Sequence, residues 1–366
     1  MQSTESQRAA WVEIDAGALR HNMRVARELA GTARVYVVCK GDAYGFDALT
    51  VASIAAECGM DALACGDPEE VHRIRAGGIA LPILLYGVTD AAALPVLARE
   101  GTVVTAHDAD SLAACLAHDL AFSLKIDAGF GRLGFREQDL PLLERLAWTH
   151  PRARAVGIYT HLADTESAPA VAAQAALFTR LADRIDSCGW RGLERMMASS
   201  RVMLAHPRLM LDAVNPGRLL YGLLEAPWDD RADVRPVLAA VKARIIALKD
   251  FAAGARLGYE REPLSSATRV AVVPYGFADG YPRLPGGGEC LLRGRRVRML
   301  GPRHTEHTVL DVTAVAEARP GDEVVFLGTQ AGERIALQEL AAATGVALLE
   351  LASRLARGPN RRVLLP

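Results

Sequence analysis

Lysine is rare in this chain, and one lysine stands where an apolar run ends. The 42 Lys and Arg residues among 366 include only four lysines: Lys40, Lys125, Lys242 and Lys249. Arginine stays charged, whereas a lysine in an apolar site can lose its proton and act as a nucleophile or a base. Lys40 follows the β-type run Val35–Cys39 and precedes a glycine. Taken alone, such a lysine is more often a solvated residue at the end of a strand. The residues around it must therefore show whether it has a chemical role.

Several other polar residues also follow apolar runs. They are Tyr44, Lys125, Asp127, Arg132, Thr160, His161, Ser199 and Ser200. The two serines open a predicted helix, whose free N–H groups suit a phosphate. Taken singly, the serines could be plain N-caps, His161 a hydrogen-bonded core histidine and Arg132 half of a surface ion pair. Together, an amine, an imidazole, a guanidinium and a phosphate-binding helix start suit pyridoxal phosphate.

The elements that would position these residues alternate between strand and helix. Predicted strands are Val35–Cys39, Ala62–Cys65, Pro82–Tyr86, Thr102–Thr105, Phe122–Ile126, Ala155–Tyr159 and Arg195–Ala198. Predicted helices include Ala18–Leu29, Leu49–Cys58, Asp108–Ala117 and Val171–Asp186. About eight such units at even spacing predict an α/β protein of the (β/α)8 type, in which residues just after the strands face one mouth.

The sequence changes character after Pro227, where short β-type runs are broken by Gly and Pro. The runs are Val237–Ile246, Thr268–Val273, Cys290–Leu292, Val309–Val312 and Glu323–Phe326, with one helix near Gln338–Ala343. The Gly-rich stretch 284–288 is predicted to be a loop, because no helix follows it to hold a phosphate. We therefore predict a barrel domain over residues 11–230 and a mostly β domain over residues 231–366.

Composition narrows the class of protein. A formal charge of −1 gives no reason to expect nucleic acid or an anionic membrane as partner. The first ten residues lack the apolar core of a signal peptide, and no apolar run is long enough to span a bilayer. Six scattered cysteines without CxxC or zinc spacing fit buried thiols in a reducing compartment. These features predict a soluble cytoplasmic protein.

Five separated segments carry a resemblance to a known family. They are Val37–Gly45, Lys125–Phe135, Gly157–His161, Pro216–Leu223 and Gly276–Arg283. In order and spacing they resemble the landmark segments of the alanine racemase family, and they span nearly the whole chain. The resemblance implies a pyridoxal 5'-phosphate enzyme with a (β/α)8 barrel and a β domain that also takes the first strand, near Trp11–Asp15. It further implies a small amino acid as substrate and a head-to-tail homodimer with shared active sites.

The resemblance also assigns roles to individual residues. Lys40 resembles the lysine that forms the aldimine with the cofactor, and His161 the imidazole that lies against the pyridine ring. Arg132 resembles the arginine that holds the phenolic oxygen of the cofactor and the substrate carboxylate. Lys125 matches a position where some members carry a lysine that can be carbamylated to support that arginine.

The phosphate-binding positions are matched as well. Tyr44 resembles a tyrosine on the phosphate side of the cofactor. Ser200, Gly217 and the backbone of Arg218 match phosphate-binding positions, and Ser199 replaces the asparagine that precedes the phosphate serine. A family tyrosine that reaches the phosphate aligns loosely with Ser353.

The departures from the family fall on proton transfer. Phe277 stands where the family has a tyrosine from the partner subunit as second base, and a phenyl ring has no ionisable proton. Met196 replaces the histidine that supports that tyrosine. Asn215 replaces the arginine that faces the pyridine nitrogen, and this substitution removes a fixed positive charge. Thr305-Glu306 replaces a Met-Asp pair at the entrance, within the run Pro302–His307.

Three hypotheses follow. The first is single-base chemistry at Cα through Lys40, such as β-elimination, retro-aldol cleavage, decarboxylation, transamination or exchange with retention. The second is racemisation with a relocated second base, either Tyr275 or a residue of the His304–His307 loop such as Glu306. The third is a non-catalytic pyridoxal phosphate-binding protein, which the retained Arg132 disfavours. The loop is otherwise a solvated charged turn, and with only three candidate ligands it does not predict a metal site.

Overall fold

The computed structural model describes residues 8–87, 90–258, 262–284, 287–301 and 304–364. The chain divides into two compact units. One comprises Ala18–Ala43 and Asp47–Arg235, and the other comprises Tyr44–Phe46 with the described parts of Met1–Gly17 and Pro236–Pro366.

The first unit is a closed barrel of eight parallel strands within the described residues. Its strands are β2 (Arg34–Val38), β3 (Ala62–Cys65), β4 (Ile83–Leu85), β5 (Val103–Ala106), β6 (Phe122–Lys125), β7 (Ala155–Tyr159), β8 (Glu194–Ala198) and β9 (Ala213–Val214). Each strand pairs with the next in parallel, and β9 closes the ring on β2. The predicted (β/α)8 barrel is therefore confirmed.

One helix precedes the first barrel strand and the others lie between successive barrel strands. They are Ala16–Ala30, Ala48–Glu57, Pro68–Ala76, Leu94–Arg99, Ala109–Ala117, Leu140–Thr149, Ala168–Cys188 and Ser200–Ala205, with 3-10 turns at Ala91–Ala93, Glu137–Asp139 and Pro207–Leu209. For several of these helices, the local sequence determines the residue at which the helix begins. Asp67 and Asp108 each begin a helix with a reciprocal capping box that satisfies backbone N–H groups left over in the first turn.

The second unit is built on one ten-stranded sheet within the described residues. Its strands are β1 (Ala10–Asp15), β10 (Leu238–Arg244), β11 (Ala247–Phe251), β12 (Thr268–Val273), β13 (Glu289–Leu292), β14 (Arg295–Leu300), β15 (Thr308–Asp311), β16 (Glu323–Gln330), β17 (Glu333–Ile335) and β18 (Arg361–Leu364). The strand order is β11-β12-β15-β14-β13-β16-β10-β1-β18, and β17 pairs with β16. The first strand thus belongs to this sheet, as an antiparallel partner of β10.

Two helices, Leu337–Thr344 and Leu348–Ala356, and a 3-10 turn at Phe277–Asp279 complete the second unit. The second of these helices was not predicted, although its sequence is amphipathic and buries Leu348, Leu351 and Leu355. Of the predicted loop 284–288, Pro285 and Gly286 lie outside the described residues, as do Pro302 and Arg303 of the charged run. Across the described ranges, no helix is both long and apolar enough to cross a membrane.

Candidate active site

Lys40 lies two residues after the end of β2 and begins a left-handed turn. Gly41, Asp42 and Ala43 have φ values of 67°, 57° and 55°, and Tyr44 continues at 56°. A non-glycine residue in this region costs about 1–2 kcal/mol, so three such residues in a row need support from their surroundings. Backbone strain of this kind clusters at functional sites, and here it lies immediately after the candidate cofactor lysine.

Lys125 ends β6 inside the barrel and is only 7% exposed. Its Nζ lies 4.4 Å from the centre of the Tyr159 ring. The Tyr159 hydroxyl lies 2.9 Å from Thr105 Oγ1. Because Thr105 Oγ1 donates its own proton to the Leu85 carbonyl, the bond between the two side chains is donated by Tyr159. The ring that contacts Lys125 is thereby fixed in place.

Two adjacent tyrosine rings connect the lysines at the mouth of the barrel. Lys40 Nζ lies 6.0 Å from the centre of the Tyr86 ring. The rings of Tyr86 and Tyr159 are 5.5 Å apart between centroids. The structure therefore brings together Lys40 and Lys125, which are 85 residues apart in the sequence, through aromatic residues that the sequence analysis did not single out.

The loop after β6 is held by an aspartate. The Asp127 carboxylate accepts hydrogen bonds from the N–H groups of Gly129 and Gly131, both at 3.0 Å. The base of the loop closes where the Asp127 N–H donates to the Phe135 carbonyl at 2.9 Å. Burial alone would raise the pKa of Asp127, but these N–H donors hold it below its ordinary value. Asp127 therefore serves to shape the loop that carries Arg132.

Arg132, Phe130 and His161 form one stack. The Arg132 guanidinium carbon lies 4.5 Å from the centre of the Phe130 ring, a cation–π distance. The Phe130 ring meets His161 edge to face with centroids 5.2 Å apart. Arg132 is exposed, and within the described residues its guanidinium has no hydrogen-bond or carboxylate partner. It is thus available to bind an anion.

The positive groups at this mouth depress one another's proton affinity. Burial lowers the pKa of Lys40, and the Arg132 charge lowers it further. Burial, Arg132 and Lys40 together lower the pKa of Lys125 to about 7, against the opposing charge of Asp127. Burial and the charges of Lys125, Lys40 and Arg132 lower the pKa of His161 to about 4. His161 is therefore neutral at pH 7, and both amines release protons more readily than ordinary lysines.

The loops after the last two barrel strands, next to β2, are suited to a phosphate. Ser200, which is 3% exposed, accepts hydrogen bonds at Oγ from the N–H groups of Gly217 at 3.0 Å and Leu219 at 3.1 Å. The Ser200 proton is then left to donate to an anion. These residues follow β8 and β9, the seventh and eighth strands of the barrel, whose loops commonly form the phosphate site of such barrels.

The other predicted phosphate residues lie in the same two loops. Ser199 is the N-cap of the Ser200–Ala205 helix, but its side chain makes no capping bond. The Arg218 side chain points to an ion pair with Glu225, so only its backbone is left for the predicted role.

Asn215 lies just after β9 with one half of its amide satisfied. Its Nδ2 donates to the Tyr86 hydroxyl at 2.9 Å, while Oδ1 is buried without a hydrogen-bond partner among the described residues. A buried orphan acceptor is costly unless a ligand supplies a donor. A phosphate site, an unpaired guanidinium, two low-pKa amines and this acceptor together fit pyridoxal phosphate.

Phe277 and the charged run lie side by side in the second unit. Phe277 is 55% exposed and begins the 3-10 turn Phe277–Asp279. Its N–H donates to the His304 carbonyl at 3.1 Å, and the next N–H, of Ala278, donates to the Thr305 carbonyl at 3.0 Å. Arg8 ties both segments together, because it binds the Asp279 carboxylate through two nitrogens and the Glu306 carbonyl through one of them.

Tyr275 has a different environment from Phe277. It is fully buried, and its ring packs against Tyr281 and Phe326 with centroids 5.8 and 4.7 Å away. Phe277, two residues further along, instead begins the 3-10 turn that follows the extended Gly276. Tyr275 would have to leave the core to act as a base.

Tyr44 and Ser353 also belong to the second unit. Gly45, next to Tyr44, packs so closely on the helix Leu348–Ala356 that a Cβ there would lie 2.8 Å from the Ser353 carbonyl oxygen. The structure thus brings the Tyr44 segment and the Ser353 segment together. Across the described residues, no group of three His, Cys, Asp or Glu side chains could hold a metal ion.

A (β/α)8 barrel with a strained lysine turn and a phosphate-binding end, joined to a β domain, defines a class of pyridoxal phosphate enzymes. Comparisons with known proteins narrow the class. The family model for the alanine racemase N-terminal domain matches residues 14–225, and that for the C-terminal domain matches residues 238–363.

Individual relatives agree with these matches. The chain is 35% identical to an alanine racemase of Sorangium cellulosum over 94% of this chain and 96% of that protein. It is 34% identical to the biosynthetic alanine racemase of Salmonella typhimurium over 95% and 97%. The alanine racemase structure from Bacillus anthracis superposes with a TM-score of 0.89 at 25% identity, covering 99% of this chain and 96% of that one. The chain belongs to the alanine racemase family, whose enzymes depend on pyridoxal 5'-phosphate.

Proposed function

We propose that this protein is a pyridoxal phosphate-dependent isomerase that moves a proton at Cα of a small amino acid. The observation that carries the proposal is the Lys40 amine, which stands on a strained turn at the barrel mouth with its pKa lowered by burial and by Arg132. The names of the relatives favour racemisation over the lyase-type reactions considered from the sequence.

The bound cofactor would supply an electron-withdrawing ring that acidifies the Cα–H bond of an amino acid joined to it. Lys40 would anchor the cofactor and move the Cα proton on its own face. Ser200 would donate to the phosphate, together with backbone N–H groups of the same loops. His161, neutral because its pKa lies near 4, would lie against the ring without adding charge.

Arg132 would bind the substrate carboxylate. Its guanidinium is exposed and lacks a protein partner within the described chain, and a guanidinium matches a carboxylate through paired hydrogen bonds. Lys125, with a pKa of about 7, would be largely uncharged in mild alkali and thus open to carbamylation. The hypothesis of a protein that only stores the cofactor is disfavoured, because such a protein would not need the Arg132 guanidinium to bind a substrate.

Racemisation needs a second proton donor on the face opposite Lys40. Phe277 has no ionisable proton, and Tyr275 is enclosed by Tyr281 and Phe326. The group best suited is the His304–His307 loop, because its backbone is bonded directly to Phe277 and Ala278. Of its side chains, we propose Glu306, which is exposed. In a head-to-tail homodimer this loop would reach the active site of the partner.

A second candidate function follows from Phe277 itself. If no group replaces the missing tyrosine, proton transfer occurs only on the Lys40 face. The outcome would then be exchange with retention, or release of a keto acid or aldehyde by elimination, retro-aldol cleavage or a related reaction. Asn215 favours this candidate, because an amide in place of a fixed cation would let the ring nitrogen keep its proton and withdraw electrons more strongly.

Isotope exchange distinguishes the two functions. The purified protein should be yellow, and borohydride should fix the cofactor on Lys40 but not on the exposed Lys249. Small L- and D-amino acids are then incubated with it in deuterated water. Deuterium at Cα of both enantiomers supports racemisation. Deuterium in the starting enantiomer alone, or a keto acid or aldehyde, supports single-base chemistry. A colourless protein without a borohydride adduct would exclude both.

A further inference from the structure

The left-handed turn after Lys40 is attached to the rest of the barrel by Glu70. This residue lies in the first turn of the Pro68–Ala76 helix and is 7% exposed. Its Oε1 accepts a hydrogen bond from the Asp42 N–H at 2.7 Å. Asp42 is the second residue after Lys40 and has a φ of 57°. Glu70 therefore binds the strained backbone itself.

The second oxygen of Glu70 binds the wall beside Lys40. Oε2 accepts hydrogen bonds from the Gly66 N–H at 2.8 Å and the Asp67 N–H at 3.3 Å. Gly66 touches the lysine closely, since a Cβ at this position would lie 2.9 Å from Lys40 Cβ. One buried carboxylate thus holds both the turn that follows Lys40 and the backbone against which the Lys40 side chain rests.

The turn has a second, more exposed support. Asp42 Oδ1 accepts from the Ala48 N–H at 2.9 Å and from Arg73 at 3.1 Å, and Arg73 also binds Asp47 at 2.6 Å. Arg73 lies one turn after Glu70 on the same helix, so the Pro68–Ala76 helix contacts the turn twice. The buried contact of Glu70 is the stronger constraint, because solvent does not compete with it.

We propose that Glu70 is a positioning residue for Lys40, acting through the Asp42 N–H and Gly66. The proposal rests on the proposed function in that Lys40 is taken to bind the cofactor. The ordinary role of Glu70 is the capping box it forms with Asp67, and this role alone would affect stability without affecting Lys40. The bond to Asp42 can be separated from the capping box because the two use different oxygens, whereas the bond to Gly66 shares Oε2 with the capping box.

Glu70→Gln separates them. A glutamine supports a capping box, and its single oxygen satisfies two N–H groups if it faces Gly66 and Asp67. The NH2 group then faces the Asp42 N–H and removes that bond alone. The matched control is Asp67→Ala, which removes the side chain that caps this helix, both its bond from the Glu69 N–H at 2.7 Å and its bond from the Glu70 N–H, the other half of the capping box, and leaves the Lys40 turn intact.

Three measurements compare the variants. Amide hydrogen exchange is followed at Asp42 in the cofactor-free protein, pyridoxal phosphate affinity is measured by absorbance titration, and kcat and KM are measured separately. We expect Glu70→Gln to speed exchange at Asp42, to weaken cofactor binding, and to lower kcat about tenfold to a hundredfold with KM within about twofold. We expect Asp67→Ala to lower the melting temperature and leave the other quantities unchanged.

The proposal is overturned if Glu70→Gln changes only stability, as Asp67→Ala should. If Glu70→Gln does not fold, Glu70→Asp takes its place, since it keeps the charge while its shorter side chain cannot reach the N–H groups of Asp42 and Gly66 at the same time. Failure of the wild-type protein to bind the cofactor at Lys40 would refute the proposed function instead. In that case the exchange rate of the Asp42 amide still decides whether Glu70 holds the turn.

Discussion

The backbone N–H of Phe277 donates a hydrogen bond to the carbonyl oxygen of His304 at 3.1 Å. These residues come from two of the segments in which the sequence analysis predicts departures from the family pattern. Contact is so close that a Cβ at Gly276 would lie 2.4 Å from the carbonyl oxygens of His304 and Thr305. The position predicted for the second base and the charged run are therefore parts of one surface, and they must be tested together.

Phe277→Tyr should introduce a proton donor at the position where the family resemblance predicts one. A positioned acid or base contributes about 100-fold to 10,000-fold to a proton transfer, so we expect at least a tenfold rise in alanine racemisation. The measurement is deuterium incorporation into both enantiomers of alanine. Phe277→Leu is the control and should give no rise. Equal rates in wild type and Phe277→Tyr would mean that this position does not limit the reaction.

Glu306→Gln tests the relocated proton donor. The substitution keeps the shape of the side chain and removes its ability to titrate. If Glu306 supplies the second proton, deuterium should appear in one enantiomer only, while exchange on the Lys40 face continues. Glu317→Gln changes another exposed glutamate of the same unit and should have no effect. An unchanged product ratio would exclude Glu306 and leave His304 and His307 for the same test.

Arg132→Gln should weaken substrate binding and shift the pH profile. Loss of a charged hydrogen-bonding partner costs about 1.5–3 kcal/mol, so KM should rise about tenfold or more. The Arg132 charge also lowers the pKa of Lys40, Lys125 and His161. Without it these pKa values rise, and activity that requires a neutral amine should need a higher pH. Arg152→Gln, an exposed change in the same unit, should move neither KM nor the pH profile.

Lys125 should make the cofactor-free protein more stable at higher pH. Its pKa is about 7 in the folded state and 10.5 in its ordinary state, so between these values the unfolded chain binds more protons. The free energy of unfolding therefore rises with pH, by at most about 1.4 kcal/mol per pH unit from this group. Denaturant unfolding at pH 7.5 and pH 9 checks it. Lys125→Met should reduce the rise and Lys249→Met should not; a rise unchanged by Lys125→Met would contradict the assignment.

Gly66→Ala should impair cofactor binding without abolishing the fold. The new Cβ would lie 2.9 Å from Lys40 Cβ, so Lys40 must move away. Because a misplacement of about 1 Å can cost about a hundredfold in rate, we expect a comparable loss of kcat. Gly77→Ala is the matched control, since its Cβ meets only the Leu49 side chain. If both variants lose stability equally and keep their affinity for the cofactor, the contact between Gly66 and Lys40 does not contribute to function.

The periodicity of apolar residues in the sequence was sufficient to predict most strands of the barrel. Ala62–Cys65 and Ala155–Tyr159 were predicted at their observed bounds, because buried parallel strands read as short apolar runs. The strand that closes the barrel, Ala213–Val214, was not identified. Two residues carry no periodicity, and this strand exists only because β8 and β2 lie on either side of it.

The residues of the candidate site also fall into those that the sequence predicted and those that only the structure identified. Residue type and position after a strand were enough to select Lys40, Lys125, Arg132 and His161. The aspartate-to-glutamate spacing of Asp67 and Glu70 is typical of a capping box at a helix start, and it says nothing about Lys40. Tyr86 and Tyr159 were read as strand residues, since no local pattern distinguishes a ring in the barrel wall from one that contacts a lysine.

By itself the sequence determined which chemical groups are present: a lysine, an arginine and a candidate phosphate loop, with Phe277 at the position predicted for the second base. Only the tertiary structure decided their proton affinities and their neighbours. The pKa of Lys125 is about 7 because chain segments far apart in sequence bury it beside other positive charges. Phe277 contacts His304 because two loops hydrogen-bond across 27 residues of sequence. Burial and long-range contact depend on the folded arrangement of the whole chain, and no local pattern of residues encodes them.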